Sequence, residues 1–278
     1  MKIKYYGTAA AEGFPGIFCE CEYCVRARAL GGKNLRSRSQ ALIDDCLLID
    51  FPADTLYHVY AFGLPLHKIE NLIITHRHPD HLYPTDFLQR KETYAFLSGK
   101  ESPLNIYGSQ PTVDLISSTL QRAGCAKQKR WELYELMPYE TRKIGKHLVT
   151  PLKAKHDYTT YPYIYDISDG DKHLLYGNDT GVFLDETWAY LEEKRPYYSF
   201  ISLDCTAGNT EVDYDCHMNL REDAEVKERL IQMGCADEKT IFYVHHFSHN
   251  GGAVYDDFAP MAAEKGFGVS YDGCEIAF

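Results

Sequence analysis

The chain has 278 residues, 45% of them hydrophobic and 25% charged, with a formal net charge of -11. That balance fills the core of one large domain or two small ones, and the negative charge argues against a broad nucleic-acid surface, which Lys and Arg would have to build. No run of about 18 uncharged apolar residues occurs and the opening MKIKYYGTAAAEGFPG has no continuous apolar core, so neither a membrane span nor a secretory signal is expected, and the reading is a cytoplasmic protein.

In chain order, a strand is predicted at 2–6 and another over 40–51, QALIDDCLLIDF, followed by a helix over 53–63. Strands at 71–75 and 104–108 come next, then a helix at 110–124. The second half offers strands at 146–154, 161–168, 172–177, 198–204 and 240–246, with helices at 184–194, 219–234 and 254–266. The strands are short, β-branched and aromatic, and bounded by turn formers; the helices carry apolar residues at helical spacing. No repeat or linker divides residues 1–278, which predicts one α/β domain of two sheets faced by helices.

Residues 73–84 read IITHRHPDHLYP and put His76, His78, Asp80 and His81 directly behind an apolar strand. Pro79 blocks a smooth helix, so the group sits in a strand-end loop. His76 and His78 project to one side of an extended backbone. Imidazole and carboxylate together suit Zn, Mn or Fe. Further ligands should also lie at strand ends, and three positions qualify: His156 after LVTPLKAK, Asp179 in LLYGNDTG, and His246 closing TIFYVHH. A carboxylate at Asp179 could bridge two cations about 3.5–4 Å apart.

Nine cysteines is an odd number, and Cys46, Cys125, Cys205, Cys216, Cys235 and Cys274 are scattered singly, which is no disulfide framework. Cys19, Cys21 and Cys24 cluster in FCECEYC, within a loop predicted over about 13–39. Such spacing in a reducing compartment favours a structural zinc, with His249 as the best candidate for the fourth ligand.

The run THRHPDH resembles the H-x-H-x-D-H signature of the metallo-β-lactamase superfamily, and His156, Asp179 and His246 match its later ligand motifs in order. The resemblance implies an αββα sandwich of two mixed sheets with the site at one edge. It assigns His76, His78 and His156 to one metal, Asp80, His81 and His246 to the other, and Asp179 to both. Cys-x-Cys-x-x-Cys near the N-terminus narrows the likeness to PhnP-type cyclic phosphodiesterases, with PqqB-like proteins as a related branch. The activity implied is hydrolysis of a small or cyclic phosphodiester by water that two divalent metals activate, with Asp80 orienting that water. His217, in DCHMNLRED, resembles a phosphate-contacting histidine of the phosphodiesterase branches and is expected to act as general acid or phosphate clamp, although Cys216 stands where those relatives carry glycine.

Asp50 is expected to hold a site loop or a ligand histidine, and His245 to point away from the site. His58, His67, His147 and His173 read as solvated. Arg26, Arg28, Lys33, Arg36 and Arg38 read as a solvated face or as partners of the chain's own carboxylates. Tyr158, Tyr161, Tyr163 and Tyr165 fit either a pocket wall or strand packing. Residues 83–97 replace the relatives' apolar-Gly-acidic continuation; Asp86 and Arg90 keep part of its role, while Phe87, Tyr94 and Phe96 suggest a bulkier lid. No Gly/Pro-rich basic insertion of the kind tRNA-processing relatives use is present. Other readings are hydrolysis of another ester, thioester or lactone, a PqqB-like accessory role in cofactor biosynthesis and, ranked below these, a tRNA 3′-processing nuclease. The expected partner is a small phosphodiester rather than nucleic acid or membrane, and a homodimer is left open.

Overall fold

A computed structural model of the chain describes residues 1–97, 102–212 and 214–278. The first half runs β1 (Lys2–Gly7), α1 (Glu22–Leu30), β2 (Gln40–Ile43), β3 (Leu47–Ile49), α2 (Thr55–Phe62), β4 (Asn71–Ile73), β5 (Leu104–Gly108), α3 (Gln110–Arg122) and β6 (Trp131–Glu135). The second continues with β7 (Arg142–Ile144), β8 (His147–Lys153), β9 (Tyr163–Ser168), β10 (His173–Gly177), α4 (Asp185–Lys194), β11 (Tyr198–Asp204), α5 (Leu220–Gln232), β12 (Ile241–His245), α6 (Tyr255–Glu264) and β13 (Gly268–Val269). The last strand, β14 (Glu275–Ala277), returns to pair with β1. Two mixed sheets result, ordered β14-β1-β2-β3-β4-β5-β6 and β13-β12-β11-β10-β9-β8-β7.

Strand periodicity explains the layering. In β3, Leu47 and Ile49 enter the core between the sheets with Tyr165, Tyr176 and Phe200, while Leu48 turns outward to a layer shared with Ile116 and Leu120 of α3. In β11, Phe200 faces the central core and Ile201 and Leu203 face the helical layer of Trp188, Val226, Leu230 and Phe258. Both sheets are therefore apolar on both faces, and helices must cover their outer sides. This is the expected αββα sandwich.

Several local expectations change. The single strand over 40–51 is a hairpin, reversed at Asp44 and Asp45, whose φ values of 47° and 60° are left-handed. The loop over 13–39 contains α1, in which Cys24 and Ala27 lie one turn apart and pack on Phe14 and Val254. Short β6, β7, β13 and β14 were not predicted, because strands of two to five residues carry too little alternation to stand out.

Three of the four histidines read as solvated are paired instead. His58 is buried between Ser37 Oγ (2.8 Å) and Gln40 Oε1 (2.7 Å). His147 is buried against Asp44 (3.0 Å), and half-buried His173 lies 3.0 Å from Asp166. His67 is exposed as expected. Among the basic group, Arg26 pairs with Asp257 and Arg38 with Asp54, Arg28 donates to the Cys19 and Gly16 carbonyls, and Lys33 lies over Tyr271. Arg36 departs from a solvated role: it is buried, 4.0 Å over the Phe247 ring, and donates to Thr8 and the Ser270 carbonyl.

Tyr163 and Tyr165 serve strand packing and donate to the Leu136 and Ile74 carbonyls, whereas Tyr158 and Tyr161 are exposed on a separate cleft. Phe87 is not part of a lid; it is buried and stacked on Phe51. Arg90 donates to the carbonyls of Arg130 and Ser102 and so braces the end of the 3-10 segment Pro84–Arg90. Tyr94 and Phe96 are exposed.

Candidate active site

The chain leaves β3, β10 and β12 through Asp50, Asp179 and His246, whose φ values of 64°, 56° and 65° lie in the left-handed region. That conformation costs a non-glycine residue free energy, and it concentrates where a side chain must be aimed at a site. Asp50 anchors the histidine loop. Its carboxylate accepts from Thr75 N (2.8 Å) and the Thr75 hydroxyl, and lies 2.7 Å from His81 Nδ1. His81 Nε2 is thereby turned inward. Asp50→Ala is expected to weaken metal retention by about 10- to 100-fold, as loss of a partner behind a ligand histidine does, checked by chelator competition.

Seven predicted residues meet at this edge. His76 Nε2 lies 3.2 Å from Asp179 Oδ2, His156 Nε2 3.5 Å from the same oxygen, and His156 Nε2 3.1 Å from His78 Nδ1. On the other side, His81 Nε2 is 3.1 Å from Asp179 Oδ2, 3.2 Å from Asp80 and 3.2 Å from His246 Nε2. Donor atoms of His76, His78, His156 and Asp179 lie within 4.8 Å of one another, as do those of Asp80, His81, Asp179 and His246. Asp179 belongs to both sets.

This donor set fits cations. Nitrogens of two different rings approach to 3.1–3.2 Å at two places, in a cluster that also gathers carboxylates. His76 Nε2 and Asp179 Oδ1 are buried without a hydrogen-bond partner among the described residues. Burial holds His76 well below its ordinary value, and lowers His156 as well, so their lone pairs are available. Burial alone would raise Asp179, but His246, His156, His81 and His76 outweigh it and hold its carboxyl well below the usual range.

A second group stands apart. Cys19 Sγ and Cys21 Sγ lie 3.7 and 3.6 Å from His249 Nδ1, and buried Cys24 completes a set within 4.8 Å. Burial resists ionisation of Cys21, yet hydrogen bonds from Cys24, Cys19 and His249 bring it down to about 7. Gly16 lets the loop pack closely here, since a Cβ would stand 3.2 Å from Cys19 Cβ and His249 Cδ2, tighter than an ordinary contact.

Residues 53–246 match the family model of the beta-lactamase superfamily domain. The chain belongs to the metallo-β-lactamase superfamily. Its fold superimposes on a diphosphatase of the PhnP family at a TM-score of 0.76 and 19% identity, covering 100% of this chain and 97% of that one. It also superimposes on zinc-bound PqqB from Methylobacterium extorquens at a TM-score of 0.70 and 15% identity, covering 100% of both chains. In sequence it is 28% identical over 169 residues to a ribonuclease BN of Cronobacter sakazakii, taking in 61% of this chain and 50% of that one. The chain spans about half the length of the curated relatives it matches. The superfamily is one of metal-dependent hydrolases, and this member carries its fold and a buried His/Asp cluster.

The metallo-β-lactamase site opens to a cavity of ≈ 350 Å³ whose lining includes His78, Asp80, His156, Asp179, His217 and His246. His217 Nδ1 lies 3.2 Å from Asp179 Oδ1 and 3.4 Å from Asp204 Oδ2. Burial disfavours its charge, but Asp204, Asp179 and Asp80 outweigh that and push it up to about 9. His245 points away as expected, stacking on Tyr5 and lying 2.9 Å from both Ser39 and Ser270.

Three carboxylates at this site escaped the sequence reading. Asp204, at the end of β11, is fully buried, accepts from Met218 N (2.9 Å) and Thr206, and lies 3.3 Å from His246 Nδ1. An acid closing a buried strand, as Asp50 does, was its only signal. Asp157 lies 3.1 Å from His78 Nε2, fixing that ring from outside. Glu12 lines the cavity mouth and accepts from Ser248.

Proposed function

We propose that this protein is a metal-dependent phosphodiesterase acting on a small or cyclic phosphodiester. The observation that carries the reading is one carboxylate, Asp179, shared by two four-donor sets, with His217 on the cavity wall beside it. His76, His78 and His156 would hold one divalent cation and Asp80, His81 and His246 the other. Such a pair, when bound, polarises a phosphoryl oxygen and acidifies water. Asp80 would orient the attacking water. His217, steadied by Asp204, would donate to a phosphoryl oxygen or to the departing alkoxide.

The fold-level likeness to a PhnP-family diphosphatase and the ribonuclease relatives both support phosphorus-oxygen chemistry. A cavity of ≈ 350 Å³ and a net charge of -11 support a small substrate over RNA. The test is a panel of bis-p-nitrophenyl phosphate, 2′,3′-cyclic nucleotides, cyclic ribose phosphates, thioesters, lactones and precursor tRNA, each assayed with Zn, Mn and Fe. Phosphodiesters of small size should be turned over fastest; preference for a lactone or thioester, or for tRNA, contradicts the reading.

Cys19, Cys21, Cys24 and His249 would hold a structural zinc that ties α1 to the loop after His246. Cys24→Ser is expected to lower stability by about 3 kcal/mol in zinc at about 100 times its dissociation constant. Thermal melts with and without chelator check this: the variant should lose the chelator-sensitive part of its stability.

A further inference from the structure

Glu12 is an acidic side chain of the cavity wall that the proposed mechanism leaves unused. Its segment is pinned along the loop that follows His246: Phe247 N donates to the Thr8 carbonyl (2.9 Å) and Ala10 N to the Phe247 carbonyl (3.0 Å). The chain then turns, with Gly13 N donating to the Ala10 carbonyl (3.0 Å) at a φ of 72° that suits glycine. Glu12 is carried in that turn. Its Oε1 accepts from Ser248 Oγ and lies 3.6 Å from His249 Nε2, across the ring from the nitrogen that faces the cysteine sulfurs. Ser248 Oγ in turn accepts from Asn250 N (3.1 Å). These contacts of the carboxylate fall on one oxygen, and a carboxylate has a second with which to meet whatever enters the cavity.

The rest of the wall offers Glu12 no opposing charge. Beyond the His/Asp cluster and His217 it is made of small or neutral side chains such as Ala10, Thr206, Tyr214 and Asn250, and no lysine or arginine lines it among the described residues. Of the cations on flanking segments, Arg38 donates to the Ala11 carbonyl (2.8 Å) and pairs with Asp54 (3.4 Å), and Lys155 pairs with Asp215. Neither lines the cavity. One phosphoryl group therefore meets the metal positions and His217, whereas a second phosphate on the same small molecule, confined with it in ≈ 350 Å³, would meet the Glu12 carboxylate and no cationic side chain. Like charges brought together in a cleft disfavour binding.

We propose that Glu12 is a charge filter at the cavity mouth: it selects singly charged phosphodiesters of an uncharged alcohol and rejects those whose alcohol carries a further phosphate. The inference rests on the phosphodiesterase reading of this cavity and narrows its substrate class. Because the filter works through charge and the Glu12 side chain is 33% exposed, salt screens it. A residue that only shaped the loop would show no such dependence.

Ligand pairs that differ by one phosphate test it on the full-length, metal-loaded protein. The substrates are adenosine 2′,3′-cyclic phosphate and the same nucleotide carrying a 5′-phosphate. The wild type should favour the first in kcat/KM by about tenfold or more at low salt, with the gap closing as salt rises. Glu12→Gln, which keeps an acceptor for Ser248, should lose most of that preference and its salt dependence, while Glu12→Asp should keep both. Binding of adenosine 3′-monophosphate and adenosine 3′,5′-bisphosphate, read by isothermal titration calorimetry, should follow the same order with no turnover involved. Equal handling of the two members of each pair by the wild type overturns the proposal and leaves the phosphodiesterase reading standing. A preference that Glu12→Gln retains in full does the same. Should that variant fail to fold, a wild-type preference indifferent to salt overturns the proposal and one that salt abolishes supports it. A wild type that cleaves neither cyclic nucleotide but hydrolyses a lactone or thioester sinks the phosphodiesterase reading, and this inference with it.

Discussion

Asp179→Ala is expected to remove both active-site cations and to lower phosphodiester hydrolysis by about 10³-fold or more, since cation stabilisation of phosphoryl charge is worth several kcal/mol. Asp179 is nearly fully buried, and one of its oxygens lies within 3.5 Å of ring nitrogens from His76, His81 and His156. No other residue belongs to both of the proposed four-donor sets. Its loss also removes the negative charge that compensates a packed group of imidazoles. Metal content by mass spectrometry should show the cysteine-bound ion alone. Asp179→Asn, which keeps the shape and loses the charge, should behave in the same direction. Retention of two active-site ions in either variant would show that the carboxylate is not shared.

The second large effect is expected at His217. His217→Ala should reduce turnover of a 2′,3′-cyclic nucleotide, whose alkoxide leaving group needs a proton, by about 10²- to 10⁴-fold, the range for losing a positioned proton donor. Hydrolysis of bis-p-nitrophenyl phosphate should change far less, because p-nitrophenolate departs without a proton. His217 sits on the cavity wall, held by Asp204, which also takes Met218 N and Thr206. Metal content should be preserved. Loss of a cation together with activity would instead make His217 a ligand, and an unchanged phosphodiesterase rate would remove it from the chemistry.

The sequence made the clustered histidines legible because His76, His78 and His81 are packed into one strand-end loop, where local spacing alone says that several donors share a volume. Asp179 and His246 were legible for a related reason: each lies within two residues of the end of a short apolar strand. Asp204 sits in the same kind of place, yet nothing beside it in the sequence marks it, since its partners His217 and His246 arrive from 13 and 42 residues away. Asp157 was hidden by its neighbours; in KHDYTT it looks like part of a solvated turn, and only the fold brings it against His78. His58, His147 and Arg36 were misread in the same manner. A polar side chain in a polar stretch looks exposed until tertiary structure supplies Gln40, Asp44 or Phe247 as its partner.

Among the elements, the long β strands and the helices of ten or more residues were readable because their apolar spacing repeats. The helix α1 was not, since its buried positions are a cysteine and an alanine inside a run of charges. The αββα layering followed from strands apolar on both faces, as in β3 and β11, where alternate residues feed different cores.

The most direct test of the account is the number of metal ions bound per chain, measured by inductively coupled plasma mass spectrometry after loading with zinc and exhaustive dialysis. The account predicts about three, two on the His/Asp cluster and one on the cysteines. A value of about one, unchanged when His76 and His246 are both replaced by Ala, would contradict it.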